Sequence, residues 1–251
     1  MENPETHTEK CTDVRVNPVV PPHQAYRSLQ EFLERLQENC LLLARHGQSD
    51  WNAMDLIQGQ QDRPLSPLGF KQRKNLFFLL QSVALARIFT STLQRTIQTA
   101  LPIGEEKKLP LEGMAALDEA KLGIFEGESK VSFSDDASKE MYQEFLNDEI
   151  NVSLPGGGEN LKMVDMRIAP AVAVLLDAVE SSGHTLVVGH RNVNKMIIRN
   201  LLGLSFAQGY RVEHENNLLY VYAPKTQQIF SVEVGSPCAL IKIEPGYKEI
   251  D

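Results

Sequence analysis

No stretch of this 251-residue chain approaches the roughly 20 consecutive apolar residues that span a bilayer, so the sequence argues against a membrane protein. Its first ten residues are polar and partly acidic, without the apolar centre of a signal peptide, and the expected location is the cytoplasm. Cysteine is scarce. Cys11, Cys40 and Cys238 are too few and too scattered for a disulfide framework or a zinc site, and they read as reduced thiols, with Cys40 in the core. A basic surplus is also missing: the formal net charge of −8 argues against general nucleic-acid binding. An anionic substrate would therefore need a local cationic pocket. What is present, 42% apolar and 23% charged residues, is enough for a sizeable core, and the length suits one α/β domain rather than two. Residues 1–24, punctuated by Pro4, Pro18, Pro21 and Pro22, read as a flexible extension ahead of a domain over 25–251. His7 and His23 lie there without partners.

The stretch from Cys40 to Asn52 organises the rest. Its apolar run to Ala44 reads as a strand buried on both faces, which delivers Arg45 and His46 to its carboxyl end, where ligand crevices of open α/β sheets form. Gly47 then permits a sharp turn or a close approach. A guanidinium can grip an oxyanion bidentately, and an imidazole can attack phosphorus or move a proton. The competing reading is a polar pair that merely ends a strand.

Apolar residues at Tyr26, Leu29, Phe32, Leu33 and Leu36 predict an amphipathic helix over 25–39, packed beside that strand. Ser66-Pro67 is a helix start for a segment running to about Ser82. A short strand over 87–90 leads to a helix beginning at Ser91, with Leu93, Ile97 and Leu101 expected on one face. Arg95 falls in its first turn, where a cation is badly matched to the helix dipole. Either it faces solvent, or it and nearby backbone N–H groups converge on an anion. In Leu117 to Gly127, two acids beside two glycines suggest a structured loop, and either Glu119 or Glu126 could serve as a general acid. Residues 128–158 read as an insertion closing over the site, with a helix near 138–147. A helix over 159–181 follows, then a second buried strand over 185–189 ending at His190, with His184 expected at the surface. A helix over 192–202 and strands near 218–222, 229–234 and 239–243 complete an α/β pattern. The expected architecture is a three-layer sandwich, a mostly parallel central sheet flanked by helices.

Several motifs now stand in order: Arg45-His46-Gly47 with Asn52, Pro64-Leu65-Ser66 with Gly69, and Ser91-x-x-x-Arg95-Thr96-x-Gln98-Thr99-Ala100. Leu117-x-Glu119-x-x-x-Gly123-x-Phe125-Glu126-Gly127, Pro155-Gly156-Gly157 with Glu159, and Val188-Gly189-His190 follow. Together they resemble the histidine phosphatase superfamily, in its phosphoglycerate mutase-like branch, from about Cys40 to Val234. The resemblance implies that His46 is the nucleophile accepting a phosphoryl group, that Arg45, Arg95, His190 and Asn52 hold phosphate oxygens, and that Glu119 is the proton donor with Glu126 structural. It implies no metal and no cofactor, and a small phosphorylated molecule as substrate. The chain departs from the pattern in having Ser49 where many members have Thr, and Arg191-Asn192 where many have Gly-Gly. Asn216 matches a family position near the end of the sheet.

The expected activity is hydrolysis of small soluble phosphate esters. A cofactor-dependent phosphoglycerate mutase is the alternative, and a catalytically inactive binding protein is a third. Mutases of the family carry arginine after the acid and in the insertion, whereas here no arginine lies between Arg95 and Arg167. That absence favours hydrolysis, because carboxylate recognition usually employs arginine.

Overall fold

The computed structural model describes residues 25–235 and 241–249, so the expected N-terminal extension lies outside the described residues. Eight strands form one sheet in the order β1-β8-β7-β6-β2-β5-β3-β4. They are β1 (Ala25–Tyr26), β2 (Leu41–Arg45), β3 (Leu85–Thr90), β4 (Leu111–Gly113), β5 (His184–Gly189), β6 (Leu218–Ala223), β7 (Gln228–Glu233) and β8 (Ile241–Pro245). β2, β5, β3 and β4 pair in parallel, while β6, β7, β8 and β1 add antiparallel neighbours on the other side. Following directions across the sheet, only β6 and β8 oppose the rest, so the sheet is mostly parallel, as expected.

Alternation within each strand explains the layers. Leu42 and Ala44 of β2, Leu186 and Val188 of β5, and Ile88 of β3 enter one core. That core also takes Leu29, Phe32 and Leu33 of α1 (Leu29–Leu36), Leu76 and Leu80 of α3 (Pro67–Leu80), and Ala100 and Ile103 of α4 (Gln94–Lys107). Leu41, Leu43, Val187 and Phe89 point the other way, against α6 (Leu161–Ser181) and α7 (Arg191–Leu202). Strands clad on both faces read as continuous apolar runs. Cys40 is buried in the first of these cores with a free thiol, which burial pushes up to about 12.

Three expectations are corrected. The first helix starts at Leu29 rather than Ala25, because Ser28 caps it by accepting from Glu31 N–H, and Tyr26 is drawn into β1. On α4, Ile97 and Leu101 are 36% and 41% exposed, and the buried face is instead Arg95, Thr96, Thr99, Ala100 and Ile103. The first turns of α4 bury Arg95, Thr96 and Thr99 toward the strand ends, and further along Ala100 and Ile103 enter the core, which turns Ile97 and Leu101 outward. His184 is half-buried, its Nδ1 accepting from Cys40 N–H at 3.0 Å. β1 and β4, together with the short helices α2 (Asp50–Ala53) and α8 (Phe206–Arg211), are elements the periodicity does not signal.

The turn after β2 is held by close backbone approach. Gly47 N–H donates to Thr99 Oγ1 at 3.0 Å, and Ser66, the N-cap of α3, donates its own N–H to Gln48 O at 2.8 Å. At Gly69 in the first turn of α3, an added Cβ would meet Gln48 O at 2.1 Å, so only glycine lets helix and turn come this near. Gly69→Ala is expected to destabilise the fold by about 1–3 kcal/mol through this overpacking. Chemical denaturation checks this, and a change under about 0.3 kcal/mol would show that the turn relaxes freely.

Candidate active site

The parallel pairing of β2 with β5 sets Arg45 opposite Gly189 and continues one step further, where His46 N–H donates to Gly189 O at 3.1 Å. The two strand-end histidines therefore meet, their ring centroids 5.0 Å apart. His46 is 3% exposed, and its Nδ1 lies 2.7 Å from Gly47 O. A carbonyl can only accept, so Nδ1 carries the proton and Nε2 is the nitrogen left to the cavity. Asn216 donates its side-chain amide to His46 O, which ties the peptide beyond the imidazole to the end of the sheet.

Arg95 is 1% exposed and does not face solvent. Its Nη1 and Nη2 donate to Gln61 O at 2.8 Å and Gly59 O at 2.9 Å, and its Nε to His190 Nδ1 at 3.3 Å. Burial brings its pKa down to about 10. Because Arg95 Nε can only donate, His190 Nδ1 accepts, and the His190 proton sits on Nε2, 2.8 Å from Ser91 Oγ. Arg45 donates to His214 O at 3.1 Å, while its Nε is buried without a partner among the described residues. Burial, reinforced by the adjacent guanidiniums, holds both His46 and His190 well below the usual histidine range, so both imidazoles are neutral at neutral pH. His214, which sequence reasoning did not single out, is pushed down to about 3 by burial. It packs behind Arg45 and accepts from Asn194 Nδ2 at 3.2 Å.

Glu119 sits on a braced loop. Arg167 donates to Ala116 O and Asp118 O, both at 2.7 Å, and to Glu119 O at 3.1 Å, while pairing with Glu159. Glu159 in turn accepts from Lys121 N–H at 3.0 Å, and Gln60 Nε2 donates to Glu119 O at 2.8 Å. The Glu119 carboxylate accepts from Ala120 N–H at 2.9 Å, with its second oxygen 3.5 Å from Asn192 N. Glu126 is spent differently, accepting from Gln60 N–H, Leu122 N–H and the Gln61 amide. It fastens one loop to another.

Arg45, His46, Asn52, Arg95 and Glu119 line one cavity of about 130 Å³. Asn52 belongs to a capping box with Ser49, which fixes its side chain at the cavity wall. Gln58, absent from the sequence reasoning, also lines it, accepting from Ser49 Oγ at 2.6 Å while its Nε2 is buried without a partner among the described residues. The segment 128–158 supplies Lys130 and Glu149, with Tyr142 and Phe145 from its helix α5 (Asp136–Asn147), and α7 supplies Arg191 and Asn192. His190 stands behind this wall. Among the described residues, no group of three or more His, Cys, Asp and Glu side chains is placed to hold a metal ion, and no helix is long and apolar enough to cross a membrane.

A parallel sheet that converges guanidiniums and neutral imidazoles on one crevice is an anion-binding architecture. Residues 41–236 match the histidine phosphatase superfamily (branch 1), and the chain belongs to that superfamily. It is 29% identical over 165 residues to the adenosylcobalamin/alpha-ribazole phosphatase of Escherichia coli (strain K12), covering 65% of this chain and 79% of that protein. It is 28% identical over 162 residues to a Salmonella choleraesuis protein named "Probable phosphoglycerate mutase GpmB", covering 64% and 74%. In fold it is similar to a mycobacterial glucosyl-3-phosphoglycerate phosphatase, with a TM-score of 0.65 at 23% identity, covering 85% of this chain and 99% of that one.

Three buried neutral histidines have a consequence for stability. Their folded pKa values lie below the unfolded value near 6.5, so the stability they contribute is fully present above that pH and is lost as pH falls. Unfolding at pH 5.5 is expected to take up at least about two protons. The slope of unfolding free energy against pH measures this, and an uptake below one would contradict the neutral assignment.

Proposed function

We propose that this chain hydrolyses small soluble phosphate monoesters through a phosphohistidine on His46, with Glu119 as proton donor. The observation that carries this reading is the His46 tautomer. Its Nδ1–H is fixed on Gly47 O, so an unprotonated Nε2 faces a cavity walled by Arg45 and Arg95. Nε2 attacks phosphorus as the ester P–O bond breaks, and the departing alkoxide takes the Glu119 proton. Water then gives a proton to the Glu119 carboxylate and attacks phosphorus, and the N–P bond breaks to release phosphate. The transition state spreads charge over three oxygens, which two guanidiniums and the Asn52 amide can grip. His190 joins them by exchange. A phosphate oxygen draws Arg95 Nε away, Nδ1 takes the ring proton and donates to phosphate, and the Ser91 hydroxyl, able to donate or accept, turns its proton toward Nε2.

The likeness to named phosphatases supports hydrolysis. The likeness to a named mutase keeps phosphoglycerate mutase as the second reading. The covering segment still offers no arginine, but the cavity is not limited to two guanidiniums, because Arg191 enters it from α7.

His46→Ala is expected to abolish turnover while leaving the fold intact, and activity within tenfold of the parent would remove His46 from its role. Glu119→Gln is expected to slow alkyl phosphates by roughly 10²–10⁴-fold and p-nitrophenyl phosphate far less, since a good leaving group departs unprotonated. Equal losses on both would make Glu119 structural. A phosphate-release assay run beside a coupled mutase assay on one preparation separates the two readings: release without added bisphosphate is expected, and mutase turnover a hundredfold above it would overturn hydrolysis.

A further inference from the structure

Arg191 follows His190 directly, opens α7, and lines the cavity with Lys130 of the covering segment. Other guanidiniums nearby are engaged: Arg167 with Glu159 and Arg199 with Asp165. Arg191 and Lys130 form no ion pair among the described residues. Their positive field is felt within the cavity. Burial lowers the Lys130 pKa most; Asp55 is the next influence and opposes it, and Arg45 and Arg191 add smaller lowering effects. The two acids of the cavity offset part of this field, against four cations that line it. Glu119 has one oxygen on Ala120 N–H. Glu149 is buried, which raises its pKa, while Arg191 and then Lys195 act to lower it. In a chain of net charge −8, a cavity lined by four cations and two acids, with Glu215 3.7 Å from Arg45 as a further acid, keeps a local surplus of positive charge. One phosphate dianion already has its match in Arg45 and Arg95.

Building on the phosphatase reading, we propose that Arg191 and Lys130 form a second anion subsite, and that the substrate is a phosphate monoester whose leaving group carries its own carboxylate or phosphate. Arg191 presents a planar fork suited to either group, and Lys130 a point charge beside it. The phosphate on His46 and the second anion then define the two ends of the substrate, with the alcohol oxygen between them near Glu119.

The test uses the full chain and matched probes. 3-Phosphoglycerate and glycerol 3-phosphate differ in a carboxylate against a hydroxymethyl group. Fructose 1,6-bisphosphate and fructose 6-phosphate differ in a second phosphate. The parent is expected to favour the member with two anionic groups in at least one pair by about tenfold or more in kcat/KM, and the preferred pair identifies carboxylate or phosphate. Arg191→Gln is expected to cut that preference about tenfold or more, the scale of a lost charge-assisted hydrogen bond, with Arg191→Lys retaining part of it. Adding Lys130→Met is expected to bring the preference close to one. The ratio within each pair cancels any general loss of folded enzyme. No preference in the parent for either pair, or a preference unchanged in Arg191→Gln, would overturn the subsite. If the parent released phosphate from no monoester, p-nitrophenyl phosphate included, the hydrolysis reading would fail separately. The subsite would then be decided by calorimetric binding of the same four probes, where equal affinities for parent and Arg191→Gln overturn it.

Discussion

The parallel ladder between β2 and β5 is the constraint on which the rest depends. Because Arg45 stands opposite Gly189, the two chains leave the sheet at the same level, and the residues immediately after them are neighbours whatever the loops do. A slip of one residue would turn Leu41 and Leu43 toward the core that now holds Leu42 and Ala44, so the register is enforced by two separate hydrophobic clusters. The chemistry is therefore anchored in burial. The polar groups at the crevice are placed by apolar side chains that never approach it.

Around that ladder, the cavity is a problem in charge management. Burying Arg95 almost completely is tolerable because two backbone carbonyls and a neutral imidazole accept from three of its five N–H groups, with one N–H on each terminal nitrogen left for an incoming anion. The same burial keeps the histidines uncharged, so the field of the guanidiniums is available to an incoming anion. The acid loop is stiffened from outside by one guanidinium, Arg167, which satisfies three carbonyls around Glu119 and is itself held by Glu159. In the proposed mechanism Glu119 gives and regains a proton, and a backbone that does not move between the two events serves that role.

The sequence disclosed the sheet centre well because its strands are long apolar runs, and it disclosed α3 because Ser66 and Pro67 carry capping chemistry. It concealed the edge strands β1 and β4, two and three residues long, since no periodicity exists at that length. It misled on α4 because hydrophobic spacing pointed to Ile97 and Leu101, whereas the packed face is set by the site that Arg95 and Thr99 serve. His46, Arg95 and Glu119 were legible through ordered motifs. Gln58 and His214 were not, because a glutamine in a loop and a histidine before a strand acquire meaning only when distant elements close on them. Arg191 was visible as a departure, but its entry into the cavity comes from the placement of α7 against the covering segment.

The covering segment has its own small core. Phe125 stacks on Tyr142 with centroids 5.6 Å apart, and Ile57, Phe145 and Leu154 complete a cluster separate from the two that clad the sheet. This gives the molecule a division of labour that natural selection can exploit. Residues of the covering segment that line the cavity can be exchanged by repacking a handful of aromatic side chains, while the strand ends that hold His46 stay untouched. Diversification of substrate and preservation of chemistry thus draw on different parts of the hydrophobic interior.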